Sequence, residues 1–169
     1  MLIFGIVASG KTTLARELSR RLDTPWFEGD CIAWGFEGEE RFKRTDEEQP
    51  ARIRRIDENP AWIVEGTYRE SQKILYELAD AVVFLDTPPL VRRRRMVSRF
   101  LKQRLGLVAC HYKPTFSMLK SMLRWTRDFE RDRAAHEARL RQYADKLIWV
   151  HSAKELEQKF FTREGETNL

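Results

Sequence analysis

Gly5-Ile6-Val7-Ala8-Ser9-Gly10-Lys11-Thr12 is the stretch that decides the fold. A glycine, four residues, a second glycine, a lysine and a hydroxyl residue make the pattern of a phosphate-binding loop. At average residue usage these four fixed positions coincide by chance in on the order of one chain in a hundred. The flanks sharpen the reading. Met1 to Phe4 can form a short buried strand, and Thr13 to Leu22 reads as a helix with Leu14, Leu18 and Leu22 one turn apart on one face. A loop between strand and helix aims backbone N–H groups and the positive end of the helix dipole at one spot, which suits a polyphosphate. Gly5, Ala8, Ser9, Gly10 and Thr13 would supply the cradle, and the Lys11 ammonium can reach the β and γ phosphates. The Thr12 hydroxyl is placed to ligate an accompanying Mg²⁺. The bland alternative is a glycine-containing turn with no ligand.

Working outward, strands alternate with helices. Pro25 and Trp26-Phe27 lead to Glu28-Gly29-Asp30, a short second strand ending in a carboxylate. Ile32 to Arg44 mixes Trp34, Phe36 and Phe42 with Gly35 and Gly38, as a mobile loop near a ligand or a loop packed on the core would. Thr45 with Glu48 suggests a capping box, although Pro50 also permits a helix starting there and running to Glu58. Asn59-Pro60 stops it. Ala61 to Val64 is a third strand followed by Glu65-Gly66, and Tyr68 to Ala79 is helical in pattern.

Ala81 to Leu85 is a continuous apolar run, expected of a central parallel strand, and it ends in Asp86. Pro88-Pro89 opens a helix on which Arg92, Arg95 and Arg99 share one face. Gly106 breaks that helix, and an amphipathic helical stretch follows from about Thr115 to Tyr143. Lys146 to Val150 is the last strand, Ser152 to Phe160 a closing helix, and the polar tail from Thr162 is expected to be disordered. This alternation implies a parallel sheet with helices on both faces and ligands outside the carboxyl ends of the strands. Asp30, Glu65 and Asp86 all fall at that edge, although Asp30 and Glu65 could instead cap helices or pair with arginines, and Asp86 could brace its own turn.

With 169 residues and 42% hydrophobic content, one domain with one sizeable core is expected. Two cysteines, Cys31 and Cys110, without histidine or cysteine at ligand spacing, speak against a zinc site or a disulfide framework. His111, His136 and His151 have no partner at catalytic spacing. No apolar run approaches the roughly 20 residues a bilayer span needs. Met1 to Ala8 lacks the basic start of a signal peptide, so a cytoplasmic protein without a membrane partner is expected. Charge is unevenly spread: residues 92–141 hold 15 Lys/Arg against 4 Asp/Glu, while the remainder is net −6. That segment could grip nucleotide phosphates, nucleic acid or an acidic partner, or be a solvated helix face.

GIVASGKTTLA, EGD at the second strand, WIVEGTYRE at the third and FLDTPPLVRRRRMVSR at the fourth resemble the adenylate-kinase-related P-loop kinases. Within them the chain most resembles the group called DNA topology modulation proteins. The likeness spans roughly residues 1 to 160. It implies a three-layer α/β P-loop fold of the nucleoside/nucleotide kinase kind, with a five-stranded parallel sheet in the order 2-3-1-4-5. The domain would cover residues 1–161, with a helical arginine-rich lid at about 92–143. By that resemblance Lys11 and Thr12 are the phosphate lysine and magnesium hydroxyl, and Glu65 acts on Mg²⁺ through water. Arg69 holds an acceptor phosphate, Arg95 and Arg99 are lid arginines on adenine and phosphates, and Gly29-Asp30 starts the acceptor-binding element. Ser152 to Lys154 line the adenine pocket.

Three departures stand out. Ala8 replaces the usual mid-loop glycine and is tolerable if its φ stays negative. Glu65 stands where Asp is commoner. The arginine that adenylate kinases carry shortly after Gly29-Asp30 is absent, and Trp34 occupies that neighbourhood, which puts AMP as acceptor in question. The expected activity is transfer of the ATP γ-phosphate to a small acceptor, with Lys11, Asp30, Arg95 and Arg99 as catalytic groups and Asp30, Trp34 and Arg69 on the acceptor. The alternatives are a nucleotide-regulated nucleic-acid-binding protein and an ATP-binding interaction module. The identity of the acceptor and the oligomeric state are not legible.

Overall fold

In a computed structural model, which describes residues 1–37, 40–108 and 114–166, strand β1 (Leu2–Phe4) runs into the loop and helix α1 (Lys11–Leu22). Then come β2 (Trp26–Glu28), α2 (Gly29–Ala33), β3 (Trp34–Glu37), β4 (Glu40–Lys43) and α3 (Glu48–Asp57). Strand β5 (Ile63–Gly66) leads through a 3-10 turn at Glu70–Gln72 to α4 (Ile74–Leu78) and β6 (Val82–Leu85). Helices α5 (Pro89–Arg104), α6 (Phe116–Arg131) and α7 (Arg133–Arg141) precede β7 (Leu147–Val150) and α8 (Ala153–Glu166).

Strands β2-β5-β1-β6-β7 form one parallel sheet. Counting its strands in chain order gives 2-3-1-4-5, the expected arrangement. The pleat sends alternate residues to opposite faces. Leu2, Phe4, Val64, Val82 and Phe84 pack with Ile53, Tyr76, Phe129 and Leu140 of α3, α4, α6 and α7. Ile3, Ile63, Val83 and Leu85 pack with Leu14 and Leu18 of α1 and Leu156 of α8. Two apolar layers on a sheet buried on both sides make the three-layer α/β fold.

Several local expectations need correction. Strand β2 stops at Glu28, and Asp30 lies in the first turn of α2 rather than at a strand end. The expected loop from Ile32 to Arg44 is mostly an antiparallel hairpin, with Trp34 opposite Lys43 and Gly35 opposite Phe42. Its turn at Gly38 and Glu39 lies outside the described residues. The capping box forms: Thr45 N–H donates to Glu48 Oε2 (2.7 Å) and Glu48 N–H to Thr45 Oγ1 (3.2 Å). Pro50 falls in the first turn of α3, where a missing N–H leaves no bond unmade.

The helix expected from Tyr68 starts late because Arg69 is extended (φ −138°). Asp132 (φ −95°, ψ 13°) splits the stretch expected from Thr115 to Tyr143 into α6 and α7. Helix α8 continues to Glu166, past the expected start of a disordered tail at Thr162.

Candidate active site

The loop is shaped by close contacts that only a glycine tolerates. A Cβ on Gly5 would meet the Leu85 carbonyl at 2.8 Å and Ser9 Oγ at 2.9 Å. Gly10 has φ 104°, left-handed backbone that costs a glycine little. Ala8 is also left-handed, with φ 62°, so the condition of a negative φ is not met, and the methyl group carries strain on the order of 1–2 kcal/mol. The Ser9 carbonyl is held from two sides, by the Thr87 hydroxyl (2.8 Å) and Arg95 Nη1 (2.6 Å), while Arg95 also reaches the Ala8 carbonyl (3.4 Å). Ser9 Oγ is buried without a hydrogen-bond partner. Thr13 continues α1 on the exposed side.

Lys11 begins α1, is buried, and folds its Nζ onto the Ile6 carbonyl (3.1 Å). Beside it the Thr12 hydroxyl donates to Glu65 Oε1 (2.8 Å). Glu65 comes from the carboxyl end of β5, opposite Ile3 of β1 on one side and Glu28 of β2 on the other. Burial pushes its carboxyl above the ordinary range, with Lys11 and the Thr12 hydrogen bond pulling it back. Burial likewise pushes the Lys11 ammonium down. Against that, Glu65 and Asp30 raise it, while Arg99 and Arg69 lower it further. Hydroxyl and carboxylate meeting next to a phosphate lysine fit a Mg²⁺ ion, which ordinarily takes one or two such protein ligands and the phosphates of its substrate.

On the opposite side, Arg69 Nη2 donates to Asp30 Oδ1 (2.5 Å), bridging the start of α2 to the segment after β5. Arg69 Nη1 is buried and has no hydrogen-bond partner. The turn bearing Asp30 rests on buried amides: Gln72 Nε2 donates to the Gly29 carbonyl (2.9 Å) and to Gln49 Oε1 (3.2 Å), and Ser71 Oγ also donates to Gln49 Oε1 (3.0 Å). Gln49 Nε2 in turn holds the Arg44 carbonyl (3.1 Å). Arg44 Nη1 closes the end of α2 on the carbonyls of Cys31 (2.9 Å), Ile32 (3.2 Å) and Trp34. Trp34 is half-buried with the Arg41 guanidinium 4.2 Å above its ring, one turn from Asp30, whose carbonyl accepts its N–H.

The family profile for AAA_18, an AAA domain, matches residues 1–107. The chain belongs to the AAA_18 family. This is a family of P-loop NTPases. No curated protein matches the chain in sequence. Among solved structures it is similar to shikimate kinase from Acinetobacter baumannii in complex with shikimate, at 18% identity and TM-score 0.57, covering 99% of this chain and 93% of that one. An uncharacterized protein from Eubacterium ventriosum is 14% identical with TM-score 0.53, over 98% of this chain and 97% of that one. YorR from Bacillus subtilis in complex with phosphorylated GDP is 16% identical with TM-score 0.50, over 100% and 99%. The shared fold is the P-loop kinase fold.

In this AAA_18 chain the arginine helix divides its labour in a way spacing alone does not reveal. Arg92 does not join Arg95 at the loop: it is 0% exposed, with Nε on the Thr87 carbonyl (2.8 Å) and Nη2 on Glu130. Arg99 is exposed, with Nη2 3.8 Å from Met122 Sδ. Asp86 takes a bidentate pair from Arg133 (2.8 and 3.0 Å), which brings the start of α7 onto the end of β6. The Asp86 carboxylate thus pairs with a helix far along the chain rather than with its own turn.

Ser152 caps α8 by accepting the Glu155 N–H (3.2 Å), and Lys154 is exposed beside it. His136 stacks on Phe129 at 4.7 Å and His151 Nδ1 lies 3.1 Å from the Asp86 carbonyl, whereas His111 and Cys110 lie outside the described residues. Thr87, Gln49, Gln72, Arg44 and Arg133 shape the site and were not singled out from sequence. Only Thr87, next to Asp86 at a strand end, sat where a signal could have been read.

Proposed function

We propose that the chain is a kinase that holds ATP with Mg²⁺ on the Gly5 to Thr12 loop and passes the γ-phosphate to a hydroxyl of a small acceptor. The observation that carries this reading is the meeting of the loop's Lys11 and Thr12 with Glu65, whose carboxylate accepts the Thr12 hydroxyl (2.8 Å), while Arg95 reaches the Ser9 carbonyl (2.6 Å) from α5. Such an arrangement suits phosphoryl transfer, which asks mainly for positioning and charge neutralisation. Lys11 and the loop amides would hold the phosphates, with Arg95 and Arg99 at the transferring group and Ser152 and Lys154 near the base. Thr12 and Glu65 would hold Mg²⁺, which supplies neutralisation of β- and γ-phosphate charge when bound.

Asp30 would accept the acceptor hydroxyl's proton as the new oxygen–phosphorus bond forms and the bond to the β-phosphate's bridging oxygen breaks. Arg69 fixes Asp30 through one nitrogen and has another, Nη1, buried and unpaired, a donor suited to an anionic group on the acceptor. Trp34 would wall that side. A cytoplasmic location, where ATP and Mg²⁺ are both at hand, goes with this reading.

The nucleic-acid alternative, which the DNA topology modulation resemblance suggests, is weaker because part of the basic segment is spent internally. Arg92 and Arg133 pair with Glu130 and Asp86, and Arg131 pairs with Asp128 and Asp132. The test is ADP release from ATP and Mg²⁺ against a panel of nucleosides, nucleotides, hydroxy acids and small alcohols. One acceptor class should stimulate release and emerge phosphorylated. A protein that releases no ADP with any of them, yet shifts DNA in a salt-dependent way, would favour the rival.

A further inference from the structure

Helix α5 is apolar on two sides, and only one is covered. Met96 and Phe100 face the core, whereas Leu90 (76% exposed), Val97, Leu101 (53%) and Leu105 (72%) form a stripe turned away from it. Leu107 and Val108, just past the helix, are exposed as well. Arg93, Arg94 and Lys102 stand within or beside the stripe and have no hydrogen-bond or ion-pair partner among the described residues. From Thr87 to Arg127 the sequence holds 11 Lys/Arg and no Asp or Glu.

We propose that the outer face of α5 docks on an anionic phospholipid membrane, as a peripheral contact independent of the phosphotransfer reading. A contiguous apolar stripe edged by unpaired cations and free of carboxylates is the pattern of a helix lying in a bilayer interface. Its leucines enter the headgroup boundary while its arginines and lysine stay with lipid phosphates.

Three other occupants fit less well. A second copy would set Arg93, Arg94 and Lys102 against the same cations with no anion to separate them. A nucleic acid would leave the leucines uncovered. A partner helix ordinarily lies in a groove between elements, whereas the shallow concavity here, about 530 Å³, is walled among the described residues by α5 and its C-terminal cap. Closure of the arginine side over the phosphate loop would not hide it, because the stripe and Arg95 lie on different sides of the helix and the concavity shares no residue with the loop.

Co-sedimentation with vesicles of phosphatidylcholine mixed with phosphatidylglycerol, against pure phosphatidylcholine, tests this directly. The full chain should sediment with the mixed vesicles only, and less as salt rises. Leu101→Ser with Leu105→Ser keeps the charge and should cut partitioning at least about tenfold, while Arg93→Gln or Arg94→Gln should cost roughly fivefold each. Unchanged circular dichroism and ATP binding in these variants show that the fold is intact. Failure of the wild type to bind mixed vesicles overturns the proposal. So does equal binding by the serine variant, or a solution dimer that the serine variant dissociates.

Discussion

The two sides of the candidate site are built by opposite means. The proposed donor side is one continuous stretch, Gly5 to Thr12, joined by Glu65 from the neighbouring strand. The acceptor side has no such stretch. Asp30 and Arg69 come from segments 39 residues apart, and the turn between them is fixed by Gln49 and Gln72, buried amides from two further elements. A function shared by many proteins can be held in a short local code, whereas a choice of acceptor is written in long-range packing, where a few changes alter it without disturbing the donor side.

Experiments that sharpen this contrast begin with the arginines. Arginines on a transferring phosphate are worth roughly 10³ to 10⁵ in turnover, so Arg99→Ala should lower kcat by an amount of that order while ATP affinity changes far less. Unchanged turnover would remove Arg99 from the mechanism. Next in size is the acceptor pair. A general base typically contributes about 10² to 10⁴, so Asp30→Asn should lose turnover by that order with ATP still bound. Full activity in Asp30→Asn with loss in Arg69→Ala would instead make Arg69 the anchor of an acceptor phosphate and Asp30 its structural partner.

Glu65 ties donor-side function to stability. Burial raises its carboxyl, so the folded protein keeps a proton there that the unfolded chain has already released. Its contribution to stability therefore rises as pH falls from neutral into that window, and is complete below the ordinary value of 4.5. Glu65→Gln should flatten this dependence and raise the thermal midpoint at neutral pH by a few degrees, while slowing turnover. Melting curves of the two proteins that stay parallel across pH would refute it. The smallest effect is at Ala8. Glycine there relieves the left-handed strain but loosens the unfolded chain, so Ala8→Gly should gain about 1 kcal/mol or less, a shift of ~2–4 °C in Tm. A lower Tm would mean that the methyl group packs usefully.

Legibility followed the same divide. Most strands were readable as apolar runs next to a breaker, Val82 to Leu85 before Asp86 and Ile63 and Val64 before Glu65 and Gly66, whereas their order came only with the likeness to the adenylate-kinase-related kinases. The hairpin of Trp34–Glu37 and Glu40–Lys43 was not, because four-residue strands with charges on their exposed sides carry little periodic signal. Residue spacing put Arg92 with Arg95 and Arg99, but only packing against Glu130 shows that its guanidinium belongs to the interior. The Arg133 to Asp86 pair spans 47 positions and has no local signature. The sign of φ at Ala8 depends on contacts that Thr87 and Arg95 impose on the loop from β6 and α5.

The most direct test of the account separates donor from acceptor in one pair of variants: calorimetric titration of ATP with Mg²⁺ into wild type, Lys11→Ala and Asp30→Asn, with turnover measured on the same samples. The account predicts that Lys11→Ala loses tight ATP binding and turnover together, and that Asp30→Asn binds ATP as the wild type does yet fails to phosphorylate the acceptor. Equal ATP affinity in wild type and Lys11→Ala would contradict it, because the phosphates would then lie somewhere other than the Gly5 to Thr12 loop.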